Sequence, residues 1–418
     1  MWPWPDTGLQ GRIDAFHFNH LLASTQSMFE SLQPLAADPI LGVIAQFNND
    51  PRTNKIDLGV GVYRDEQGNT PILAAVKRAE EILFAESTTK AYVGPLGNIQ
   101  FNQLLAGLLL GDAHPATSSL SLVQTPGGCG ALRVAAEFIK RSNSSATIWV
   151  SDPTWGNHVP LLGDAGINLR SYPYYDFATH ALKFDEMMSA LEEVKPGDLV
   201  LLHACCHNPS GTDLSAEQWQ AVVDLAQKRG FVPFIDIAYQ GFGQNLDSDA
   251  YGVRIVCEQL PEAIVAISCS KNFGLYRERV GAVAVLSQAP AVASSHIASI
   301  VRGIYSMPPD HGAAVVARIL ADKELRAAWV NELTAMRSRI RDMRVSLVGE
   351  LEKYGLARRF SHIERQHGMF SFLGLTPEQV AKLADEHAVY MVESSRINLA
   401  GLTPTNIPAF ADALSRTL

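Results

Sequence analysis

Between residues 120 and 290 the chain alternates short apolar runs with longer amphipathic ones. Strand-sized runs fall at 146–150, 169–174, 199–204, 231–237, 263–268 and 280–286. The helix-like runs between them fall at 131–141, 184–194, 215–229 and 249–260. The helix over 215–229 opens with Ser215 and Gln218 in capping-box spacing and stops at Gly230. Strands that are apolar throughout, each followed by a helix, predict a mostly parallel sheet with helices on both faces. In such sheets a ligand sits beyond the carboxyl ends of the strands.

After residue 310 the period changes. Residues 311–355 read as long helices that carry Arg337, Arg339, Arg341 and Arg344 on their outer faces. A small α/β piece follows. It has a strand at 369–375, a helix opened by Thr376 and Pro377, and short strands at 389–392 and 397–400. A chain of 418 residues exceeds one ordinary core. The predicted division is a large domain over 70–330 and a smaller α/β domain from both chain ends, 28–69 and 331–418. Residues 1–27 lack a clear period and read as a poorly ordered extension.

Charge and composition then remove several classes of function. A net charge of −9 disfavours nucleic acid or an anionic membrane as the main partner. No apolar run is long enough to span a bilayer. The five cysteines, an odd number placed mostly in apolar patterns, suit a reducing, cytoplasmic setting.

Chemistry concentrates where the strands end. Lys271 follows the apolar run 263–267, with Ser268 and Ser270 just before it and Arg279 eight residues on. An amine at a strand end beside phosphate-binding groups suits pyridoxal phosphate, whose aldehyde forms a Schiff base with lysine. Asp236 interrupts an apolar strand, where an unpaired carboxylate costs several kcal/mol. A protonated pyridine nitrogen would pair it. The turn Thr125-Pro126-Gly127-Gly128-Cys129-Gly130 precedes a helix whose free N–H groups suit a phosphate. It lacks the third glycine of a dinucleotide fingerprint and the ending of a Walker loop, so a nicotinamide-dependent oxidoreductase ranks low. His203, Cys205, Cys206 and His207 resemble a metal cluster. Adjacent cysteines on a strand point to opposite faces, so no metal site is assigned. Arg302 and Arg396 are candidates for gripping carboxylates.

Taken in order, these segments resemble the class I, fold type I pyridoxal-phosphate aminotransferases that act on aspartate and aromatic amino acids. The resemblance rests on 59–63, 125–128, 151–155, 207–209, 236–241, 270–274, 278–281 and 395–396, and runs from about Met28 to the C-terminus. It implies that Lys271 is the Schiff-base lysine and proton carrier. Asp236, supported by His158, would pair the pyridine nitrogen, and Asn208 and Tyr239 would bond the ring oxygen. Trp155 would stack on the ring. Gly127, Gly128, Cys129, Ser268, Ser270 and Arg279 would hold the phosphate, joined by Tyr92 from a second subunit. Arg396 would bind the α-carboxylate, and Arg302 of the neighbouring subunit a distal one. Gly61, Trp155 and Asn208 would line the substrate site. The implied protein is a homodimer that exchanges amino groups between aromatic amino acids and 2-oxoglutarate, ping-pong through pyridoxamine phosphate. Aspartate aminotransferase proper is the alternative. Cys129 stands where a threonine or serine is usual, and Ala91 and Met307 replace asparagines. The loss of polar groups at 91 and 307 favours an aromatic substrate. Thr70 and Arg64 keep or approximate the aspartate-type pattern.

Overall fold

Seven strands form the central sheet of this computed structural model, which describes residues 29–30, 32–34, 39–111 and 113–418. They are β1 (Leu120–Pro126), β2 (Thr147–Asp152), β3 (Asn168–Pro173), β4 (Leu199–His203), β5 (Val232–Ile237), β6 (Ala263–Ser268) and β7 (Val280–Leu286). The order across the sheet is β1-β7-β6-β5-β4-β2-β3. All neighbouring pairs are parallel except those of β7, which runs antiparallel to both β1 and β6. The mixed α/β architecture with a mostly parallel seven-stranded sheet is the one the periodicity predicts. The strand at 120–126 was absent from that prediction because Gln124, Thr125 and Ser121 break its apolar run, although all three are buried.

Alternation along each strand feeds two apolar cores, one per face. Phe234, Ile264, Ala266 and Val283 point to one core, and Ile235, Ile237, Val265 and Ile267 to the other. Helix α1 (Gly127–Ser142) covers the first through Ala131, Val134, Ala135 and Ile139. Helix α2 (Ala216–Arg229) covers the second through Trp219, Val222 and Val223. The capping box at Ser215 and Gln218 is formed, and Gly230 ends α2 in the left-handed region at φ 74°. Helix α1 begins at Gly127, four residues before its expected start, so the glycine turn is itself the first turn of the helix.

Strand β4 ends at His203, which corrects the expectation of a strand carrying Cys205 and Cys206 on opposite faces. Residues 204–206 bend away, and Cys206 takes φ 51°.

The two chain ends are joined. Ile56–Asp57 pairs in parallel with Val389–Tyr390, and Phe370–Phe372 pairs antiparallel with Arg396–Asn398. Residues 39–418 form one compact unit. In the segment before it, the Leu32 N–H donates to the Phe29 carbonyl at 3.1 Å. The expectation for residues 1–27 lies outside the described residues. Among the described residues no helix is long and apolar enough to cross a membrane.

Helix α3 (Lys323–Glu352) corrects one expectation. Arg341 is exposed, but Arg344 is buried, with 2% of its surface exposed. Its guanidinium donates to the carbonyls of Ile363, His367, Gly368 and Phe370 and to the Ser371 hydroxyl. A helical period cannot reveal this, because the partners are carbonyls of a later irregular segment. Arg344→Met should leave those carbonyls unsatisfied and lower the unfolding free energy by about 3 kcal/mol or more. Urea unfolding checks this, and Arg344→Lys should recover only part of the loss, since one ammonium cannot span the fork of acceptors.

Candidate active site

Parallel strands deliver their last residues to one edge of the sheet, and there the chemistry gathers. In the register of β4 and β5, His203 lies opposite Asp236. Ser268 ends β6, and Lys271 follows three residues later. The lysine loop is pinned from below. The Trp329 indole N–H of α3 donates to the Asn272 carbonyl at 2.7 Å, and Phe273 stacks on Trp329 with ring centroids 4.4 Å apart.

Above this edge opens a cavity of about 290 Å³. Of the candidate residues, Gly61, Gly128, Cys129, Trp155, Asn208, Asp236, Tyr239, Ser268, Ser270, Lys271, Arg279 and Arg396 all line it. Gly127 lies beside it at φ 71°, where a Cβ would come within 2.6 Å of Arg279 Nη2. Only glycine lets that guanidinium lie against the helix start. The first turn of α1 has no side-chain cap, so its free N–H groups and Arg279 form an anion cradle. Gly281 has the same close-approach role, since a Cβ there would sit 2.4 Å from the Ile267 carbonyl.

Asp236 is buried, and burial alone would push its carboxyl up. The hydrogen bond from His158 Nε2 at 2.9 Å, helped by the nearby Lys271, more than offsets that and holds it below the usual carboxylate range. His158 is itself positioned. Its Nδ1 bonds the Thr154 hydroxyl at 2.8 Å, and that hydroxyl reaches His203 Nε2 at 3.2 Å. Burial draws the Lys271 amine below the ordinary lysine value; the Arg279 charge acts in the same direction, against Asp236 and Cys129. Its Nζ lies 5.0 Å from the centre of the Tyr239 ring. The Tyr239 phenol is pushed up by burial and stays protonated. On the opposite wall, Arg396 lies over the Phe370 ring at 4.3 Å and donates through Nη2 to the Gly59 carbonyl at 2.6 Å.

Tyr92 and Arg302 do not line the cavity of their own chain. Both are exposed, and Arg302 is bonded to the Ser306 hydroxyl. Ala91 and Met307 are outside the cavity lining too. Thr70 donates to the Tyr63 carbonyl, and Arg64 pairs with Asp57.

Several contributors escaped the sequence reading. Thr154 and His203 complete the support of His158, while Tyr276, Phe370, Leu132 and Ile40 wall the cavity. His203 was visible only as part of a metal-like run. Its placement next to Asp236 depends on strand register, which the sequence does not print.

The fold and cavity are those of an α/β enzyme built around a half-buried lysine. The family model for aminotransferase class I and II matches residues 53–414, and the chain belongs to that family. It is 49% identical to the aromatic-amino-acid aminotransferase of Pseudomonas aeruginosa over 93% of this chain and 99% of that one. It is 47% identical to the aspartate aminotransferase of Escherichia coli over 94% of this chain and 100% of that one. The aromatic-amino-acid aminotransferase of Burkholderia pseudomallei, solved covalently bound to pyridoxal phosphate, matches with a TM-score of 0.92 and 42% identity, over 94% of this chain and 100% of that one. Pyridoxal phosphate is the cofactor of this aminotransferase, and the cavity fits it. The uncapped helix start and Arg279 would hold its phosphate, and the Asp236 carboxylate would pair its ring nitrogen. Asn208 Oδ1 is buried without a hydrogen-bond partner among the described residues.

Two neighbouring imidazoles set an acid limit. Burial holds His207 well below the usual histidine value and pushes His203 down to about 3. Below a pH of about 6.5 the unfolded chain binds protons that these folded imidazoles refuse. Stability is therefore lost as the pH falls, by up to about 1.4 kcal/mol per pH unit for each ring. Urea unfolding at pH 7, 6 and 5 should show the decline, and His207→Gln should make it shallower by up to one proton.

Proposed function

We propose that the chain transfers the amino group of an L-aromatic amino acid, tyrosine or phenylalanine, to 2-oxoglutarate, and that it also accepts aspartate and glutamate. The observation that carries this reading is the pairing in one cavity of a desolvated amine, Lys271, with an ionised buried carboxylate, Asp236. The walls suit an aromatic ring, because Trp155, Tyr276, Phe370 and Leu132 all face the cavity. Relatives named for aromatic amino acids and for aspartate support both arms of the substrate range.

When bound, pyridoxal phosphate supplies an aldehyde that captures amines and a ring that takes up the electrons released at Cα. The chain does the rest. Asp236 would hold a proton on the ring nitrogen by charge. Lys271 Nζ, whose charged form burial disfavours, would take the proton from substrate Cα. Arg396, whose Nε is buried and without a partner among the described residues, would grip the α-carboxylate and so orient the bonds at Cα. Tyr239, kept protonated, and Asn208 would bond the ring oxygen. Gly128, Ser268, Ser270 and Arg279 would hold the phosphate, and Trp155 would stack on the ring. One cavity serves both half-reactions, so the kinetics are ping-pong.

A second copy of the chain completes the cavity. Tyr92 is 92% exposed, and the same stretch of chain also exposes the apolar side chains Phe84, Val93 and Ile99, which suits a subunit contact. From such a homodimer Tyr92 would reach the phosphate, and Arg302 a distal substrate carboxylate. Segments 28–69 and 331–418 act as the smaller domain, bringing Gly61 and Arg396 to the cofactor carried by 70–330. The five free thiols fit a cytoplasmic setting.

Mixing the purified enzyme with phenylalanine or aspartate, one at a time, should shift its visible absorption band and release the matching 2-oxo acid. Lys271→Ala should abolish turnover, and borohydride should fix cofactor to the Lys271 peptide of the wild type only. Strong turnover of aspartate with almost none of phenylalanine would leave aspartate aminotransferase as the better reading. Arg302→Ala should lower efficiency on aspartate by about tenfold to a hundredfold and leave phenylalanine almost unchanged. Equal losses on both would remove Arg302 from the distal site.

A further inference from the structure

Cys129 differs from the other four cysteines. Cys205, Cys206, Cys257 and Cys269 are buried. Burial pushes the thiols of Cys206, Cys257 and Cys269 up to about 11, about 12 and about 12, and a hydrogen bond with Cys206, together with burial, raises that of Cys205. Such thiols are poor nucleophiles and out of reach. Cys129 is half-buried and lines the cavity.

Its surroundings are built to receive an anion. Cys129 is the third residue of α1, so its backbone N–H belongs to the uncapped first turn. Arg279 approaches the same turn beside Gly127. Asn157 Nδ2 reaches the sulfur at 3.9 Å, a contact too weak to shield it. Independent signs of a missing ligand lie in the same cavity. Arg396 Nε and Asn208 Oδ1 lack hydrogen-bond partners among the described residues, although their side chains are only 6% and 7% exposed. A hydroxyl at position 129 would donate to a bound phosphate, whereas a thiol donates weakly and keeps its nucleophilic character.

We propose that Cys129 is a phosphate-gated modification site. A phosphate ester seated on the start of α1 covers the sulfur. When that seat is empty, Cys129 is the one thiol of the chain open to a small electrophile. The step is an ordinary alkylation: the sulfur bonds to the electrophile's carbon, the leaving group departs with its electron pair, and the thiol proton passes to solvent. The inference rests on reading the cradle as the seat of the cofactor phosphate.

The test compares the holoenzyme with the full chain stripped of cofactor, both treated with iodoacetamide and read by peptide mass spectrometry. The stripped chain should be labelled at Cys129 alone, and Cys129→Ser should take up no label. Pyridoxal phosphate or inorganic phosphate at about ten times its Kd should slow the labelling about tenfold, because mass action then leaves the seat empty about a tenth of the time. Pyridoxal without its phosphate should not protect. Equal protection by pyridoxal would assign the cover to the ring and overturn the phosphate gate. Labelling at another cysteine, or none in the stripped chain, would overturn it as well. A normal visible band with undiminished labelling would reject the gate while leaving the cofactor reading intact. No band at all on adding pyridoxal phosphate would reject both.

Discussion

A carboxylate and an amine share one desolvated cavity, and the rest of the active site depends on how each is kept in its working form. Burial acts on both in the same sense, against charge. For Lys271 it prevails, and the amine is drawn toward neutrality. For Asp236 it is overcome by a directed hydrogen bond from His158, whose ring is fixed by Thr154 and in turn by His203. The same low dielectric thus gives a base and a permanent anion, because only one of them has a dedicated donor. Deleting that donor would leave a buried carboxylate unsatisfied, which costs about 1–3 kcal/mol or more. The imidazole that supports it is therefore as much a part of the site as the acid.

Much of this was legible in the sequence because the features are local. The apolar runs of 199–204, 231–237 and 263–268 give a parallel sheet directly, and the residue that ends each run is placed at the ligand edge by topology alone. The glycine turn and its helix, the strand-end lysine and the acid within an apolar strand could all be read from spacing. What escaped depends on tertiary geometry. Gln124, Thr125 and Ser121 hide a strand because their burial is made tolerable by partners elsewhere, such as the Pro309 carbonyl that accepts from Gln124. Arg344 looks like a surface residue on a helical wheel and is instead a buried multiple donor. His203 looked like one member of a metal-like run until register set it beside Asp236. In each case the sequence shows a polar residue and the fold supplies its partners.

The substrate side of the cavity has a different origin from the cofactor side. Lys271, Asp236 and the cradle come from one continuous stretch of sheet, so their geometry is fixed by neighbouring strands. Arg396 reaches Gly59, a separation of 337 residues, and Asn398 donates to the carbonyls of Val60 and Val62 across 338 and 336 residues. Closing so large a loop costs only slightly more than closing a modest one, since the entropy grows with the logarithm of length. A handful of buried bonds between chain ends is therefore enough to hold the wall in place. Glycine at 59 and 61 permits the approach, because a Cβ at Gly59 would meet Val43 at 2.7 Å and one at Gly61 would meet Phe370 at 3.2 Å. The same ring of Phe370 lies under the Arg396 guanidinium. The arginine is thus desolvated, stacked and anchored through one nitrogen, with another left unpaired, and its planar fork is already oriented before any carboxylate arrives.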